Sequence, residues 1–285
     1  MSAKIIDGSK IANELKDDLK KEIKELKEEG RAPGQATILI GDDPAAKAYV
    51  NMKKKVAKNL GIESYLHQLD SDVSKKELLD LIYDINNDRS VDGLLIQLPL
   101  PEHIDDNKVI ESMDPTKDVD GFHPLNTGRL FSNLDDKLHF VPCTPAGAIE
   151  LIKSTGVEIK GKKAVMVGHS NIVGKPAAHL LLDEFATVTV CHIHTEDLAH
   201  ETKQADILLS AAGKANLITA DMVKEGAIVI DIGINKVDGE ITGDVDFEAV
   251  KEKASYITPV PGGAGPMTIA MLMKNTVEAR KYHGV

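Results

Sequence analysis

Residues 163–176, Lys163-Ala-Val-Met-Val-Gly168-His-Ser-Asn-Ile-Val-Gly174-Lys-Pro176, lead from a short apolar run into a segment with helical spacing. The apolar run Lys163–Gly168 reads as a buried strand, and a helix is predicted over Ala177–Leu182. Gly168 and Gly174 allow a tight backbone and the close approach of a ligand, and free N–H groups at a helix start suit a pyrophosphate. The stretch predicts a dinucleotide-binding loop. The alternative is an ordinary turn, because the pattern is not G-x-G-x-x-G.

Further short apolar strands follow this loop. They are predicted at Thr187–Cys191, Asp206–Ser210 and Ala227–Asp231, with helices between them. Four such strands fit a doubly wound nucleotide-binding sheet, which favours the dinucleotide interpretation over the simple turn.

The first half of the chain shows a second alternation of helices and strands. Helices are predicted at residues 9–30, 45–60 and 75–86, and buried strands at 36–41 and 92–98. This order is typical of parallel βαβ units. Residues 114–145 are rich in Pro, Gly, Asn and Asp and are interpreted as an inter-domain region that lines a cleft. A last helix is predicted from Met267 to Tyr282. The fold class is therefore α/β with two domains.

Composition restricts the class of function. The chain has 285 residues, 42% of them hydrophobic, a net charge of −11 and no Trp. An acidic surface with few aromatic side chains argues against nucleic acid and anionic membranes as partners, but not against small anions held by local groups. Two isolated cysteines and a polar N-terminus without an apolar core fit a cytoplasmic protein. No apolar run approaches the length of a membrane span.

Three residues are candidates for the reacting site. Tyr49 and Lys53 are four residues apart on a predicted helix and share one face, which suits a flat anionic ligand; a plain surface contact is the alternative. Gln97 ends an apolar strand, where ligands of open α/β sheets bind; it could equally be a core residue satisfied by backbone.

Two loops are also unusual. Asp118 and Asp120 lie in Lys117-Asp-Val-Asp-Gly121, either a turn or a metal loop, and two acids alone support a metal site poorly. Residues 259–268 hold three Pro and three Gly, which predicts a shaped backbone loop or a complicated turn. No metal is expected in this protein.

Coenzyme choice is indicated by the second strand of the nucleotide-binding half. NAD-selective folds usually end this strand in an acid, but here the first acid is Glu196. His169 or His194 can donate to a 2′-phosphate. The pattern favours NADP, with NAD as the alternative.

Five motifs occur together in a fixed order over nearly the whole chain. They are Tyr49-x-x-x-Lys53, the segment Gly93–Pro101, Lys117–Gly121, Gly168–Pro176 and Thr258–Thr268. Together they resemble the bifunctional methylenetetrahydrofolate dehydrogenase/methenyltetrahydrofolate cyclohydrolase family.

The resemblance implies two domains around a deep cleft, usually in a homodimer. A folate-binding catalytic domain is expected over residues 1–120, completed by the C-terminal helix 267–285, and a Rossmann-like dinucleotide-binding domain over 140–266. The substrate is a folate in one-carbon metabolism and the coenzyme is NADP.

The resemblance also implies roles for individual residues. Tyr49 stacks on folate, Lys53 handles the proton, Gln97 hydrogen-bonds Lys53, and Asp120 anchors the pterin as part of the catalytic set. The loop Pro261-Gly262-Gly263 closes on the substrate. The coenzyme-binding residues implied are Gly168, His169, Ser170, Thr144, Thr195 and Ile234.

This chain departs from the family where the coenzyme is chosen. The family usually has Arg at the position of His169, and Ser or Arg at that of Ile193. An imidazole lacks the fixed fork of an arginine, so weaker, pH-dependent NADP binding or the use of NAD is expected. The alternatives are a monofunctional NAD-dependent dehydrogenase, a non-catalytic dinucleotide-binding sensor and a structural interaction module. The last two leave Tyr49, Lys53 and the loop 259–268 unexplained.

Overall fold

The computed structural model describes residues 2–132 and 139–284. The chain forms two compact units, one made of Met1–Glu14 and Pro142–Met271, the other of Leu15–Val141 and Leu272–Val285. The α-helices are α1 (Gly8–Glu28), α2 (Pro44–Leu60), α3 (Lys75–Asn87), α4 (Asp106–Ile110), α5 (Pro124–Ser132), α6 (Cys143–Lys153), α7 (Gly174–Asp183), α8 (Leu198–Thr202), α9 (Phe247–Val250) and α10 (Ala264–His283). The strands are β1 (Lys4–Ile5), β2 (Gly34–Ile40), β3 (Glu63–Leu69), β4 (Gly93–Ile96), β5 (Lys163–Val167), β6 (Thr187–Cys191), β7 (Ile207–Ser210), β8 (Ile228–Asp231), β9 (Asn235–Val237), β10 (Glu240–Thr242) and β11 (Tyr256–Ile257).

The unit that holds residues 15–141 is built on a three-stranded parallel sheet in the order β3-β2-β4. All four residues of β4 and the first six of β2 are buried, as expected for parallel strands covered on both faces. Ile38 of β2 and Leu94 of β4 are fully buried in one core with Leu78 and Ile82 of α3. Each such side chain stabilises the fold by roughly 1.5–3 kcal/mol.

The other unit contains a six-stranded parallel sheet in the order β1-β11-β8-β7-β5-β6. The order reverses beside β5, which is the position where doubly wound sheets bind nucleotides. A short antiparallel hairpin, β9–β10, follows β8.

The predicted elements occur, with some differences in their bounds. Strand β3 was not predicted, because its residues alternate between exposed and half-buried and form no apolar run. Helix α10 begins at Ala264, three residues before the predicted start at Met267. Gly265 and Pro266 favour a loop in the sequence, but both lie in the first helical turn, where proline is tolerated. Helix α5 lies within residues 114–145, which were predicted to be a loop-rich region. Strand β1 places residues 4–5 beside β11. The predicted domain boundaries, 1–120 with 267–285 and 140–266, stay predictions.

Candidate active site

Helix α2 carries Tyr49 and Lys53. Asp43 caps its start by accepting a hydrogen bond from the backbone N of Ala46 at 2.7 Å, and Gly61 ends it in the left-handed conformation with φ of 91°. With both ends fixed, the four-residue spacing sets the two side chains on one face. The Nζ atom of Lys53 lies 4.4 Å from the centroid of the Tyr49 ring, within range of a cation–π contact.

Lys53 is the buried member of a run of three lysines. It is 6% exposed, whereas Lys54 and Lys55 are exposed to solvent. Its Nζ donates a hydrogen bond to Oε1 of Gln97 at 3.3 Å, and Nε2 of Gln97 donates to the carbonyl oxygen of Leu98 at 3.0 Å. The second bond fixes which amide atom faces the amine. The structure thus brings Tyr49, Lys53 and Gln97 together.

Gln97 follows the carboxyl end of β4, and its backbone N donates to the carbonyl oxygen of Ile38 at 2.9 Å. Leu94 of β4 forms a parallel bridge with Asp118. Because the two segments run in the same direction, half-buried Asp120 lies towards the carboxyl end of β4, the same end as Gln97. The predicted role of Asp120 in binding the pterin stays a prediction.

Asp118 lies in a different environment from Asp120. Its Oδ2 accepts hydrogen bonds from the backbone N of His123 at 2.7 Å and from Nδ2 of Asn126 at 2.8 Å. Burial raises the pKa of the Asp118 carboxyl. Asp118 therefore anchors the turn that follows Asp120. No group of three or more potential metal ligands occurs among residues 2–132 and 139–284.

The predicted phosphate loop lies between β5 and α7. Gly168 has φ of 126°, and a Cβ there would lie 2.5 Å from the carbonyl oxygen of Ala211; a Cβ on Gly174 would lie 2.3 Å from that of Gly168. Only glycine fits either position. Oγ of Ser170 accepts from the backbone N of Val173 at 3.2 Å and that of Gly174 at 3.3 Å. This narrow backbone cradle at a helix start fits a dinucleotide pyrophosphate.

Three imidazoles lie at the carboxyl ends of β5 and β6. The ring centroids of His169 and His192 are 5.3 Å apart, and those of His192 and His194 are 6.1 Å apart. Nδ1 of His192 accepts a hydrogen bond from the backbone N of His194 at 3.2 Å, and Oγ1 of Thr195 accepts from the backbone N of His192 at 2.9 Å. All three rings are exposed, so they can donate to an anionic group.

The other predicted coenzyme and substrate residues are in the same unit. Oγ1 of Thr144 lies 3.0 Å from that of Thr268, and Ile234 is an exposed side chain directly after β8. In the loop 261–263, the backbone of Gly262 is left-handed with φ of 109°, and its carbonyl oxygen accepts from the backbone N of Ser9 at 3.0 Å.

Sequence reasoning missed two buried acids near the coenzyme loops. The Asp244 carboxylate accepts hydrogen bonds from the hydroxyl of Ser210, the amide of Asn235 and the backbone N of residues 212–214. The Asp231 carboxylate accepts from the backbone N of Gly233, Asp244 and Val245. Together they tie the loops after β7 and β8. One sequence feature could have indicated Asp231: it is an acid at the end of the apolar strand Ile228–Asp231.

Burial raises the pKa of Asp231 to about 6, and the neighbouring Asp244 carboxylate acts in the same direction. The hydrogen bonds from backbone N–H groups oppose this shift. The Asp231 carboxylate therefore holds the backbone directly before Ile234.

Comparison with known proteins resolves the identity of this arrangement. Residues 6–120 match the tetrahydrofolate dehydrogenase/cyclohydrolase catalytic-domain family, and residues 142–284 match the NAD(P)-binding domain of the same family. The chain belongs to the tetrahydrofolate dehydrogenase/cyclohydrolase family. The predicted family, the two-domain α/β fold class and the enzyme class are confirmed.

Similar proteins extend over the full chain. The bifunctional protein FolD of Halothermothrix orenii is 62% identical over 282 residues, which are 99% of each chain. The crystal structure of the bifunctional FolD methylenetetrahydrofolate dehydrogenase/cyclohydrolase of Campylobacter jejuni is 49% identical, with a TM-score of 0.96 and 99% of each chain covered. The enzyme of Trypanosoma brucei, complexed with NADP and inhibitor, is 37% identical, with a TM-score of 0.94 over 99% of this chain and 98% of that one.

Proposed function

We propose that this chain oxidises 5,10-methylenetetrahydrofolate to 5,10-methenyltetrahydrofolate with NADP and then hydrolyses the product to 10-formyltetrahydrofolate. The observation that carries the proposal is the buried amine of Lys53, held 3.3 Å from Oε1 of Gln97 and 4.4 Å from the Tyr49 ring centroid. A surface lysine of a structural protein would resemble its exposed neighbour Lys54 instead.

Oxidation requires positioning more than proton transfer. Bound NADP supplies a hydride acceptor. Loss of hydride from the methylene carbon leaves a methenyl cation, so no residue has to take a proton in this step. Tyr49 offers a flat ring on which the folate can stack, and Asp120 offers a carboxylate for the pterin.

The hydrolysis step requires a proton acceptor, and Lys53 is the candidate. Water attacks the methenyl carbon, a C–O bond forms, and the attacking water loses a proton to give a neutral carbinol. The hydroxyl then loses its proton as the C=O bond forms, one C–N bond breaks, and the released nitrogen takes up a proton, so that one proton is released overall. A neutral Lys53 amine accepts the proton that the attacking water loses. Burial penalises the charged form of an amine, and the Gln97 oxygen holds Nζ in a fixed direction while the proton moves.

NADP is the coenzyme best supported by the local chemistry. The segment His192–Thr195 contains no acid, so a 2′-phosphate meets no repulsion from it, and exposed His169 and His194 offer donors. The complex of the Trypanosoma brucei relative with NADP agrees with this choice.

The proposal includes a homodimer in the cytoplasm. Strand β6 is an edge of the described six-stranded sheet, and Leu182, Phe185 and Ile193 beside it are exposed apolar side chains. An unpaired edge with apolar neighbours favours association with a second copy. No described helix is long and apolar enough to cross a membrane. Light scattering coupled to size exclusion is expected to give twice the mass of one chain, and a monomer at micromolar concentration would contradict the dimer.

One spectrophotometric assay tests the function. Methylenetetrahydrofolate is supplied with NADP in one series and NAD in another, while the methenyl product is followed as it forms and decays. We expect formation with NADP and enzyme-dependent decay. Formation with NAD alone would contradict the coenzyme assignment, and accumulation of methenyl product at the uncatalysed decay rate would contradict the hydrolase assignment.

A further inference from the structure

A polar cavity lies in the unit that holds residues 15–141 and 272–285. Its volume is about 590 Å³, the size of a small-molecule site. Arg31 and Val91 on its wall precede the amino ends of β2 and β4. Gln97 follows the carboxyl end of β4, so the cavity and the candidate catalytic residues lie at opposite ends of the same sheet.

Five of the twelve residues that line this cavity are basic and two are acidic, although the whole chain carries a net charge of −11. The basic residues are Arg31, Arg89, Lys117, Arg280 and His283. The guanidinium of Arg31 is fixed by two bonds to Asp92, at 2.6 and 2.7 Å, so its charge is already paired. Arg89 is exposed at the rim.

Lys117 brings a buried positive charge that no acid neutralises directly. Its Nζ donates to the carbonyl oxygens of Ile85 and Asp88, at 2.9 and 2.7 Å, at the end of α3. These neutral acceptors hold the ammonium in place and use two of its three N–H donors, so the third is available to a ligand. Burial lowers the pKa of Lys117, as expected for an ammonium without a close counter-ion.

Arg280 is the most informative of these residues. It is only 9% exposed, and its Nε donates to the carbonyl oxygen of Arg31 at 3.3 Å. Arg280 lines the cavity, and among the residues that the structure describes its terminal amino groups make no hydrogen bond. Burying a guanidinium without an anionic partner is costly, so an anion from solution would satisfy it.

The acids on the wall do not fill this role. Oδ1 of Asp88 accepts from the backbone N and hydroxyl of Ser90, both at 2.7 Å. Oδ1 of Asp114 accepts from the backbone N and hydroxyl of Thr116, at 2.8 and 2.7 Å. One oxygen of each carboxylate is thus used within its own turn, and among the described residues neither acid forms an ion pair with Arg89, Lys117 or Arg280.

We propose that this cavity binds a small phosphate-bearing anion at a site separate from catalysis. The guanidinium groups of Arg89 and Arg280 and the ammonium of Lys117 around one space match the tetrahedral oxygens of a phosphate, and the volume leaves room for an organic group attached to it. The site is independent of the proposed function, since none of its residues belongs to the catalytic or coenzyme set.

Calorimetry on the full chain tests this site, with pyrophosphate as the probe and NADP saturating so that the coenzyme loop is occupied. Ionic strength is held constant with sodium chloride. We expect one pyrophosphate per chain, and weaker binding of inorganic phosphate. Loss of one charge–phosphate contact in Arg89→Gln is expected to weaken binding by roughly 5-fold, and Arg280→Gln by about 10-fold or more.

Lys24→Gln is the matched control, because it removes one positive charge from an exposed position on α1 in the same unit. It is expected to bind like the wild type. Arg89 is exposed, so its variant keeps the test valid even where Arg280→Gln fails to fold. No binding of pyrophosphate by the wild type, or equal weakening by Arg89→Gln and Lys24→Gln, would overturn the proposal.

Discussion

The Nζ atom of Lys53 donates to Oε1 of Gln97 across 3.3 Å, joining the middle of α2 to the end of β4. The Gln97 amide is itself oriented by the carbonyl oxygen of Leu98 at 3.0 Å. A side chain whose own rotamer is fixed can fix its neighbour, so the amine is held in one direction. This contact is the basis of the account of hydrolysis.

Loss of the Gln97 amide should impair hydrolysis more than oxidation. In Gln97→Ala the Lys53 amine keeps its burial but loses the Gln97 oxygen that orients it, and we expect hydrolysis of methenyltetrahydrofolate to fall by roughly 10- to 100-fold. Oxidation, which needs no proton acceptor, should fall less. Separate assays of the two steps measure this difference. Gln68→Ala, at an exposed position on β3, is the control, and equal losses in both steps would argue against a positioning role.

Asp120→Ala should mainly weaken the binding of folate. The carboxylate is predicted to anchor the pterin, so its removal takes away one charge-assisted contact and should raise KM for methylenetetrahydrofolate by about 10-fold, with a smaller change in kcat. Steady-state kinetics at saturating NADP gives both values. Asp84→Ala removes an exposed acid from the same unit and should leave KM unchanged. An unaltered folate affinity in Asp120→Ala would refute the role.

His169→Arg should increase the preference for NADP. A guanidinium offers a permanent charge and a fork of donors to a 2′-phosphate, whereas an imidazole is smaller and has fewer donors. We expect the ratio of kcat/KM for NADP to that for NAD to rise by about 10-fold. His200→Arg adds the same group at an exposed position on α8 and should leave the ratio unchanged. A ratio that rises equally in both variants would indicate a general charge effect instead of a 2′-phosphate contact.

Asp231 should make stability depend on pH. Burial raises its folded pKa from 3.8 to about 6, so the folded state favours the protonated acid. Its contribution to the free energy of unfolding is therefore complete below about pH 4 and is lost as pH rises through about 6. Denaturant titrations of wild type and Asp231→Asn at several pH values measure this contribution as a difference. We expect the difference to decline over that window, and a difference independent of pH would show that Asp231 does not titrate there.

Regular apolar runs made most of the fold predictable. Strands such as β5 and β8 and helices such as α2 carry their period in the sequence, and both sheets follow from the alternation of the two. The sequence does not predict strand β3, because β3 is an edge strand of the three-stranded sheet and has no apolar run. The early start of α10 and the helix α5 depend on tertiary packing that overrides local Gly and Pro signals.

The candidate site was predictable only in part, for a similar reason. Tyr49 and Lys53 share a helix face, so local spacing indicates that they are neighbours. The carboxylates of Asp231 and Asp244 are 13 residues apart in sequence and meet only because the β9–β10 hairpin returns the chain. The basic cavity combines residues near positions 31, 89, 117 and 280, which no local pattern relates.

Hydrolysis of methenyltetrahydrofolate by Lys53→Met is the most direct test of the central claim. Methionine keeps the buried stem but removes the amine, and Lys54→Met changes the exposed neighbour on the same helix as a control. We predict that Lys53→Met loses at least about 100-fold of the hydrolysis rate while binding NADP as the wild type does, and that Lys54→Met retains the rate. Hydrolysis by Lys53→Met at the wild-type rate would contradict the account.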